Sequence, residues 1–289
     1  MMKKNIIKAL LSPTVVVIVC LFAAATSFAV NSDSIVGMVT GIGQRRITPS
    51  DEIMTNEFVI TDKYSEINVN RGMKVVYRVS AGTPTAEVTA PKNVIDYIKV
   101  TVKNGTLRVT LDESVQINGK MNATVTVSGP AISEYDVSSA GQITVVSPLK
   151  LKGELEADAS SAGCIVFKER IEVYSISLEA SSASRITCGT VDAESGEIET
   201  SSAAQIKIGN LLGGKFEFDS SSASHVNVAD CKVKSIDASA SSAARVSLSG
   251  VADKADLEAS SGGSVGSNSL EVKSGLKKSV SSGGRVSTK

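Results

Sequence analysis

A short serine-rich phrase recurs along the second half of the chain at an almost constant spacing. It reads Ser-Ser-Ala or Ser-Ser-Gly, and an Ile or Val stands five residues after its first serine in every copy. A fixed period near 20 residues is typical of a solenoid, in which each repeat forms one coil and neighbouring coils bury each other. The copies begin at Ser138, Ser160, Ser181, Ser201, Ser221, Ser241, Ser260 and Ser281.

Apolar residues form columns when the repeats are aligned on the first serine, taken as position zero. Positions −3, −1, +5 and +7 are mostly apolar, the positions between them are mostly polar, and a third apolar site follows at +10 or +11. Period-2 alternation of this kind predicts strands with one buried face. We therefore predict an all-β fold, a single-stranded parallel β-helix with coils of about 20 residues stacked ~4.8 Å apart. Right-handed coiling is the default for parallel crossovers.

The phrase itself marks the corner between the first two strands of each coil. Position +2 is Ala in six copies and Gly in two. Because only small residues occur there, we expect the chain to turn inward at this point, where a larger side chain would not fit.

The N-terminus has the features of a secretory signal. Lys3, Lys4 and Lys8 precede an apolar stretch, and small residues at Ser27 and Ala29 predict cleavage after Ala29. A lipoprotein signal ending at Cys20 is an alternative. We predict a signal peptide over 1–29, a leader or linker over 30–55, less regular β coils or a cap over 56–130, and regular repeats over 131–289, the last two forming one continuous domain.

Composition argues against a nucleic-acid-binding protein. The chain has 30 basic and 30 acidic residues, no Trp and one His, so it lacks the basic excess that is typical of a nucleic-acid-binding protein. We expect no cofactor and no metal.

Cys188 and Cys231 fall in apolar columns and Cys164 in an outward one, which predicts three free thiols and no disulfide.

Two outward columns just before the phrase are strongly acidic. Like charges ~4.8 Å apart repel by about 0.9 kcal/mol even in water, so such a strip needs an offset: nearby lysines (Lys215, Lys234 and Lys254), divalent cations, or a basic partner. The alternative is a solvated face that discourages aggregation. The candidate binding residues are Glu134, Asp136, Glu156, Asp158, Glu179, Glu197, Glu199, Glu217, Asp219, Asp237, Asp256 and Glu258.

Catalysis is the less favoured interpretation. His225 lies in the outward +4 column, as do Arg185, Arg245 and Arg285, and the repeated serines are explained by the corners. Polysaccharide lyases and hydrolases on β-helices use carboxylates and basic groups in a groove walled by loops and aromatic residues. Coil lengths here vary too little for such walls, so we predict no catalytic residues and keep a carbohydrate-binding or carbohydrate-active β-helix as the alternative.

Two stretches carry a resemblance to a known family. They are Tyr97-Ile98-Lys99-Val100 with Asn104-Gly105-Thr106-Leu107, a hairpin pattern, and Gly129-Pro130-Ala131-Ile132 leading into Val137-Ser138-Ser139-Ala140-Gly141. Together with the repeats, they resemble the bacterial "putative auto-transporter adhesin, head GIN domain" family over roughly 56–289. The resemblance implies an exported β-helical protein of the periplasm or cell surface. It also implies an adhesive role. We expect an unidentified protein or glycan as the partner, and membrane contact only through the signal peptide or lipidation.

Overall fold

The computed structural model describes residues 44–288 and consists almost entirely of strands. A single 3₁₀ turn, Ile95–Tyr97, is the one helical element within these residues, and none of the described segments could cross a membrane as a helix. The predicted signal peptide and the alternative at Cys20 lie outside the described range. The strands are β1 (Arg45–Ile47), β2 (Ile53–Val59), β3 (Glu66–Val69), β4 (Lys74–Val79), β5 (Thr85–Pro91), β6 (Ile98–Lys103), β7 (Thr106–Leu111), β8 (Val115–Ile117), β9 (Thr124–Gly129), β10 (Glu134–Val137), β11 (Gln142–Val145), β12 (Leu149–Lys150), β13 (Glu154–Ala159), β14 (Cys164–Ala180), β15 (Arg185–Thr200), β16 (Gln205–Ser220), β17 (His225–Ala240), β18 (Arg245–Ala259), β19 (Ser264–Val280) and β20 (Arg285–Thr288).

The repeats stack as parallel coils in the predicted register. Ile165 pairs with Ile186, which pairs with Ile206, and both neighbouring apolar columns follow the same alignment. Positions −3, −1, +5 and +7 are buried in nearly every coil, whereas the last coil is open to solvent at Lys278. The parallel β-helix with coils of about 20 residues is therefore confirmed; its handedness stays a prediction.

The corner after the first strand is a tight turn with two left-handed residues. In one coil, Ser161 and Ala162 have φ values of 48° and 63°, and the amide of Gly163 donates to the carbonyl of Ser160 at 2.8 Å. Two successive positive φ values define a type I′ turn. The turns also bond to one another along the stack, since the Ala162 amide donates to the carbonyl of Ser182 at 3.0 Å.

The expected inward turn at position +2 is wrong. Ala162 and Ala183 are exposed, and the buried small residue is the next one, for example Gly163 or Ser184. A Cβ on Gly163 would lie 2.6 Å from the carbonyl oxygen of Val137. Small residues at +2 are favoured instead because a left-handed backbone penalises bulky and β-branched side chains.

The N-terminal part inserts one coil out of sequence order. Strands β3 and β4, joined by the turn Asn70–Met73, lie between β7 and β9 on one side and β10 and β11 on the other. The turn repeats the left-handed pair, with φ values of 54° at Arg71 and 72° at Gly72. Antiparallel strands β6, β5 and β2 then complete this end of the stack, so the N-terminal part is less regular, as predicted.

Two strands fall wholly or partly within the segment 30–55 that was predicted as a leader. Strand β1 pairs in parallel with β8, and β2 pairs in antiparallel fashion with β5. The hairpin predicted at Asn104-Gly105 joins β6 to β7, with positive φ at both residues.

An aromatic stack ties the inserted coil to the repeats. Tyr77, Tyr135 and Phe167 are fully buried in successive coils, and their rings meet edge to face with centroids 6.1 Å and 5.1 Å apart. The hydroxyl of Tyr77 donates to the carbonyl of Pro130 at 2.7 Å. Edge-to-face pairs of this geometry add stability beyond the burial of their area.

The three described cysteines are free. Cys188 is buried between Phe167 and Ile208, as predicted. Cys231 pairs with Leu211 as predicted, but its other neighbour differs, because a register shift pairs Val251 with Lys232. The alignment of the third apolar column is therefore wrong in the last coils.

Candidate binding face

The twelve carboxylates proposed from the sequence lie together on one side of the β-helix. Each belongs to the strand segment that precedes the type I′ turn, and the carboxylates of neighbouring coils pair in register, for example Glu134 with Glu156 and Asp136 with Asp158. All twelve are exposed or half-buried. We call this set of twelve side chains the acidic face.

Strand pairing extends the acidic face beyond the repeats. Glu66 of the inserted coil pairs with Glu134, and Asn68 pairs with Asp136. The side-chain amide of Asn68 donates to Asp136, and the Thr106 hydroxyl donates to Glu66. Sequence reasoning missed this extension because residues 66–69 lack the Ser-Ser phrase, although Asn70-Arg71-Gly72 before an apolar alternation marks a turn of the same type.

Few cations neutralise the acidic face. Lys215 pairs with Glu217 in the middle of the face, and Lys277 lies 3.6 Å from Asp256 at the C-terminal end. Of the three lysines considered from the sequence, Lys215 alone has an ion pair there among residues 44–288, and Lys234 pairs with Glu194 on another face. The other ten carboxylates of the acidic face have no ion-pair partner within that range.

Burial and mutual repulsion raise the pKa of several carboxyl groups on the acidic face. Burial, followed by the charges of Glu179, Asp136 and Glu156, raises the pKa of Asp158 to about 6. The pKa values of Glu134 and Glu199 are raised for the same two reasons, in the same order of importance. The charged form of this face is therefore electrostatically unfavourable and would gain from a cationic neighbour.

Replacing Asp158 by Asn is expected to stabilise the protein near neutral pH. The folded-state pKa of about 6 lies above the ordinary value of 3.8, so the folded state holds the proton more tightly and stability falls as pH rises through 6. After allowance for solvent around this half-exposed group, Asp158→Asn should gain about 1 kcal/mol at pH 7. Thermal unfolding at pH 4.5 and 7.5 measures the effect.

The control for this substitution is Asp192→Asn on another face, where the carboxylate pairs with Arg170. It should not stabilise the protein. The melting temperature of Asp158→Asn should change less between the two pH values than that of the wild type, and an equal or larger change would contradict the explanation.

A shallow open groove runs between the acidic face and the corner serines. Its volume is about 160 Å³, below the range of roughly 300–1,000 Å³ that is usual for small-molecule pockets. No grouping of three His, Cys, Asp or Glu side chains within 44–288 has an arrangement that could hold a metal ion. The groove is lined by Glu179, Ala180, Glu199, Thr200, Ser201, Asp219, Ser220, Ser221, Ser239 and Ser241.

His225 and the arginine column lie on the strand segments that follow the type I′ turns. We call the side of the β-helix formed by these stacked segments the second face. His225 pairs with Gln205 and Arg245, and Arg185 lies one coil further along. Burial, then the charges of Arg245 and Lys207, lower the pKa of His225. The structure therefore does not bring His225 together with the acidic face.

The overall fold is shared with solved structures from Bacteroides-like bacteria. A putative adhesin from Parabacteroides distasonis has a TM-score of 0.72 at 16% identity, with 84% of this chain and 100% of that chain covered. A putative lipid binding protein from the same species has a TM-score of 0.73 at 16% identity, with 85% of this chain and 100% of that chain covered. A putative adhesin from Parabacteroides merdae gives 0.71 at 16% identity, covering 85% and 99%. At such identities the likeness concerns the fold alone.

The sequence comparisons agree with the resemblance carried by the two stretches and the repeats. No curated protein sequence matches the chain. Residues 63–208, about half of the chain, match the family described as putative auto-transporter adhesin, head GIN domain. The chain therefore belongs to the putative auto-transporter adhesin, head GIN domain family.

Proposed function

We propose that the protein is exported and acts as a non-enzymatic, adhesin-type binding protein whose acidic face contacts a basic surface of a partner. One observation carries the proposal: ten in-register carboxylates of this face lack an ion-pair partner among the described residues. The family and the adhesin-like solved structures support the binding role.

The acidic face is rigid, and its carboxylates repel one another. Each carboxylate stands on a strand that is bonded on both sides, so the spacing along the face is set by the coils rather than by flexible loops. Repulsion within the row raises the free energy of the unbound face. Lys or Arg side chains of a partner would relieve this repulsion, and complementary charge also speeds encounter.

Adhesion is tested with beads coated with the protein on arrays of extracellular proteins and glycans. A face-neutralised variant should bind at least about tenfold more weakly than the wild type, and binding should weaken with added salt. The neutralised variant carries Glu156→Gln, Asp158→Asn, Glu179→Gln, Glu197→Gln, Glu199→Gln and Asp219→Asn.

The matched control removes the same number of charges elsewhere on the coils. It should bind as the wild type does, because net charge is equal in the two variants and only position differs. Equal loss of binding in both variants, or none in either, would overturn the role of the acidic face. The control carries Glu169→Gln, Glu172→Gln, Asp192→Asn, Glu194→Gln, Asp230→Asn and Asp253→Asn.

Export is tested separately by fractionating the producing bacterium and by treating intact cells with protease. Protein found only in the cytoplasm would contradict the proposed location, whatever the array shows.

A further inference from the structure

The two ends of the β-helix expose large apolar side chains, whereas the coils between them expose few. Strand β2 at one end and the last coil at the other hold all but one of the exposed large apolar residues within 44–288, the exception being Tyr174. Exposed apolar groups concentrated at an end indicate a surface that gains by being covered. They are Ile53 (48% exposed), Met54 (38%) and Val59 (50%) in β2, and Leu276 (42%) and Val280 (54%) in the last coil.

Both ends also present an unpaired strand edge on the second face. Among the described residues, β2 is bonded only to β5, and β20 is bonded only to β19. Strand β2 is antiparallel to β5, which is antiparallel to β9, which in turn is parallel to β4 of the coils. Strand β2 therefore runs in the same direction as β20, and stacking one copy on another along the axis would align them as parallel neighbours.

Within residues 44–288, the outer edge of β2 has free backbone groups. The Lys92 amide donates to the Glu52 carbonyl, and the Ile60 amide donates to the Pro84 carbonyl, each at 2.8 Å. Even-numbered residues of β2 therefore bond to β5, and in an antiparallel ladder the odd-numbered residues then point their amides and carbonyls away from it. Those of Thr55 and Glu57 are positioned to bond another strand.

The two edge strands, taken with their flanking residues, carry opposite net charges. Residues 51–62 hold four acidic and no basic residues, a net charge of −4, whereas residues 270–288 hold four basic and one acidic, a net of +3. Within 44–288, Glu57 at the first end and Lys278 and Arg285 at the other have no ion-pair partner. Such complementarity favours contact between unlike ends and disfavours contact between like ends.

We propose that the protein associates head to tail with a second copy of itself, with β2 of one copy paired in parallel to β20 of the next. Parallel pairing satisfies the free edge groups, covers apolar side chains at both ends and opposes the two charges. Because the two contacting surfaces lie at opposite ends of the β-helix axis, the arrangement extends into linear chains of molecules rather than closing into a ring.

Sedimentation velocity of the full exported chain over a range of concentrations tests the proposal. We call the end with β2 the head and the end with β20 the tail. The head-blocked variant is Glu57→Lys/Val59→Lys, and the tail-blocked variant is Leu276→Asp/Arg285→Glu. All four positions are exposed, so the fold should tolerate these substitutions. Glu57→Lys and Arg285→Glu set like charges against the opposite edge strand, and Val59→Lys and Leu276→Asp remove exposed apolar side chains. Each variant should therefore weaken association by about a hundredfold. Tyr174→Lys, at an exposed apolar residue far from both ends, is the control.

Mixing the two blocked variants is the decisive measurement. Each retains one intact end, so a 1:1 mixture should form dimers and nothing larger, while wild type and Tyr174→Lys form longer species as concentration rises. A wild type that stays monomeric at every concentration would overturn the proposal. So would a head-blocked variant that still dimerises alone, because that result identifies a tail-to-tail contact.

Discussion

Replacing Phe167 by Ala is expected to destabilise the protein by about 4 kcal/mol. Phe167 is fully buried in the +7 column and packs edge to face against Tyr135, with centroids 5.1 Å apart. Truncation of a buried Phe to Ala costs about 3–5 kcal/mol through lost burial and the remaining cavity. Loss of the aromatic pair contributes within that range.

Chemical denaturation together with hydrogen exchange measures the effect of Phe167→Ala. A stacked array can open locally, so protection should fall first in the two flanking coils, around Tyr135 and Cys188. Phe167→Leu, which keeps most of the volume, should cost below about 1.5 kcal/mol. A cost below about 1 kcal/mol for Phe167→Ala would contradict the predicted contribution of the Tyr135–Phe167 pair and its burial to stability.

Replacing Gly213 by Ala is expected to cost about 3 kcal/mol or more. Gly213 has a φ of +128°, and a Cβ there would lie 1.8 Å from the carbonyl oxygen of Ala193 in the neighbouring coil. No rotation of a methyl group relieves a clash with backbone, so the coils must separate locally, and the backbone angle itself is strained for any side chain.

Gly266→Ala is the matched control for this prediction. Its nearest contact from an added Cβ would be the Ser287 hydroxyl at 3.8 Å, an ordinary distance. The control should change stability by less than about 0.5 kcal/mol. Equal melting temperatures for the two variants would contradict the close approach of the coils at Gly213.

The regular half of the fold was predictable because each coil contacts only its neighbours. A residue and its equivalent one period later are paired across the ladder, so the columns read from the sequence, such as Ile165, Ile186 and Ile206, are real contacts. The acidic face followed from the same alignment. The predicted alignment of the third apolar column is wrong near Val251 because a register shift breaks the constant period there.

The structural role of the Ser-Ser-Ala phrase could be assigned only from the backbone angles. Ala at position +2 is compatible with a buried small residue and with a left-handed turn, and composition alone does not separate the two. The φ of 63° at Ala162 and its exposure decide for the turn. The same angles identify Arg71 and Gly72 as an equivalent turn that carries no Ser-Ser phrase.

Of the two lysines that reach the acidic face, Lys215 was among those considered from the sequence and Lys277 was not. The alignment predicts which carboxylates share a face; it does not say which lysines approach them. Lys277 approaches Asp256, whereas Lys254 has no ion pair within the described residues. Whether a long, flexible lysine side chain forms an ion pair depends on the local three-dimensional geometry, which spacing along the chain does not determine.

The sequence by itself determined the period, the parallel stacking of the repeats and the acidic columns beside the Ser-Ser-Ala phrase. These properties are local, since each depends on residues about 20 apart and on the alternation of a strand. Tertiary structure alone decided that residues 66–79 enter the stack between β7 and β10. It also decided that, within the part of the chain that the structure describes, both ends keep free edges on the second face. Such placements join segments that share no repeat, so they follow from packing of the whole chain and leave no period to detect.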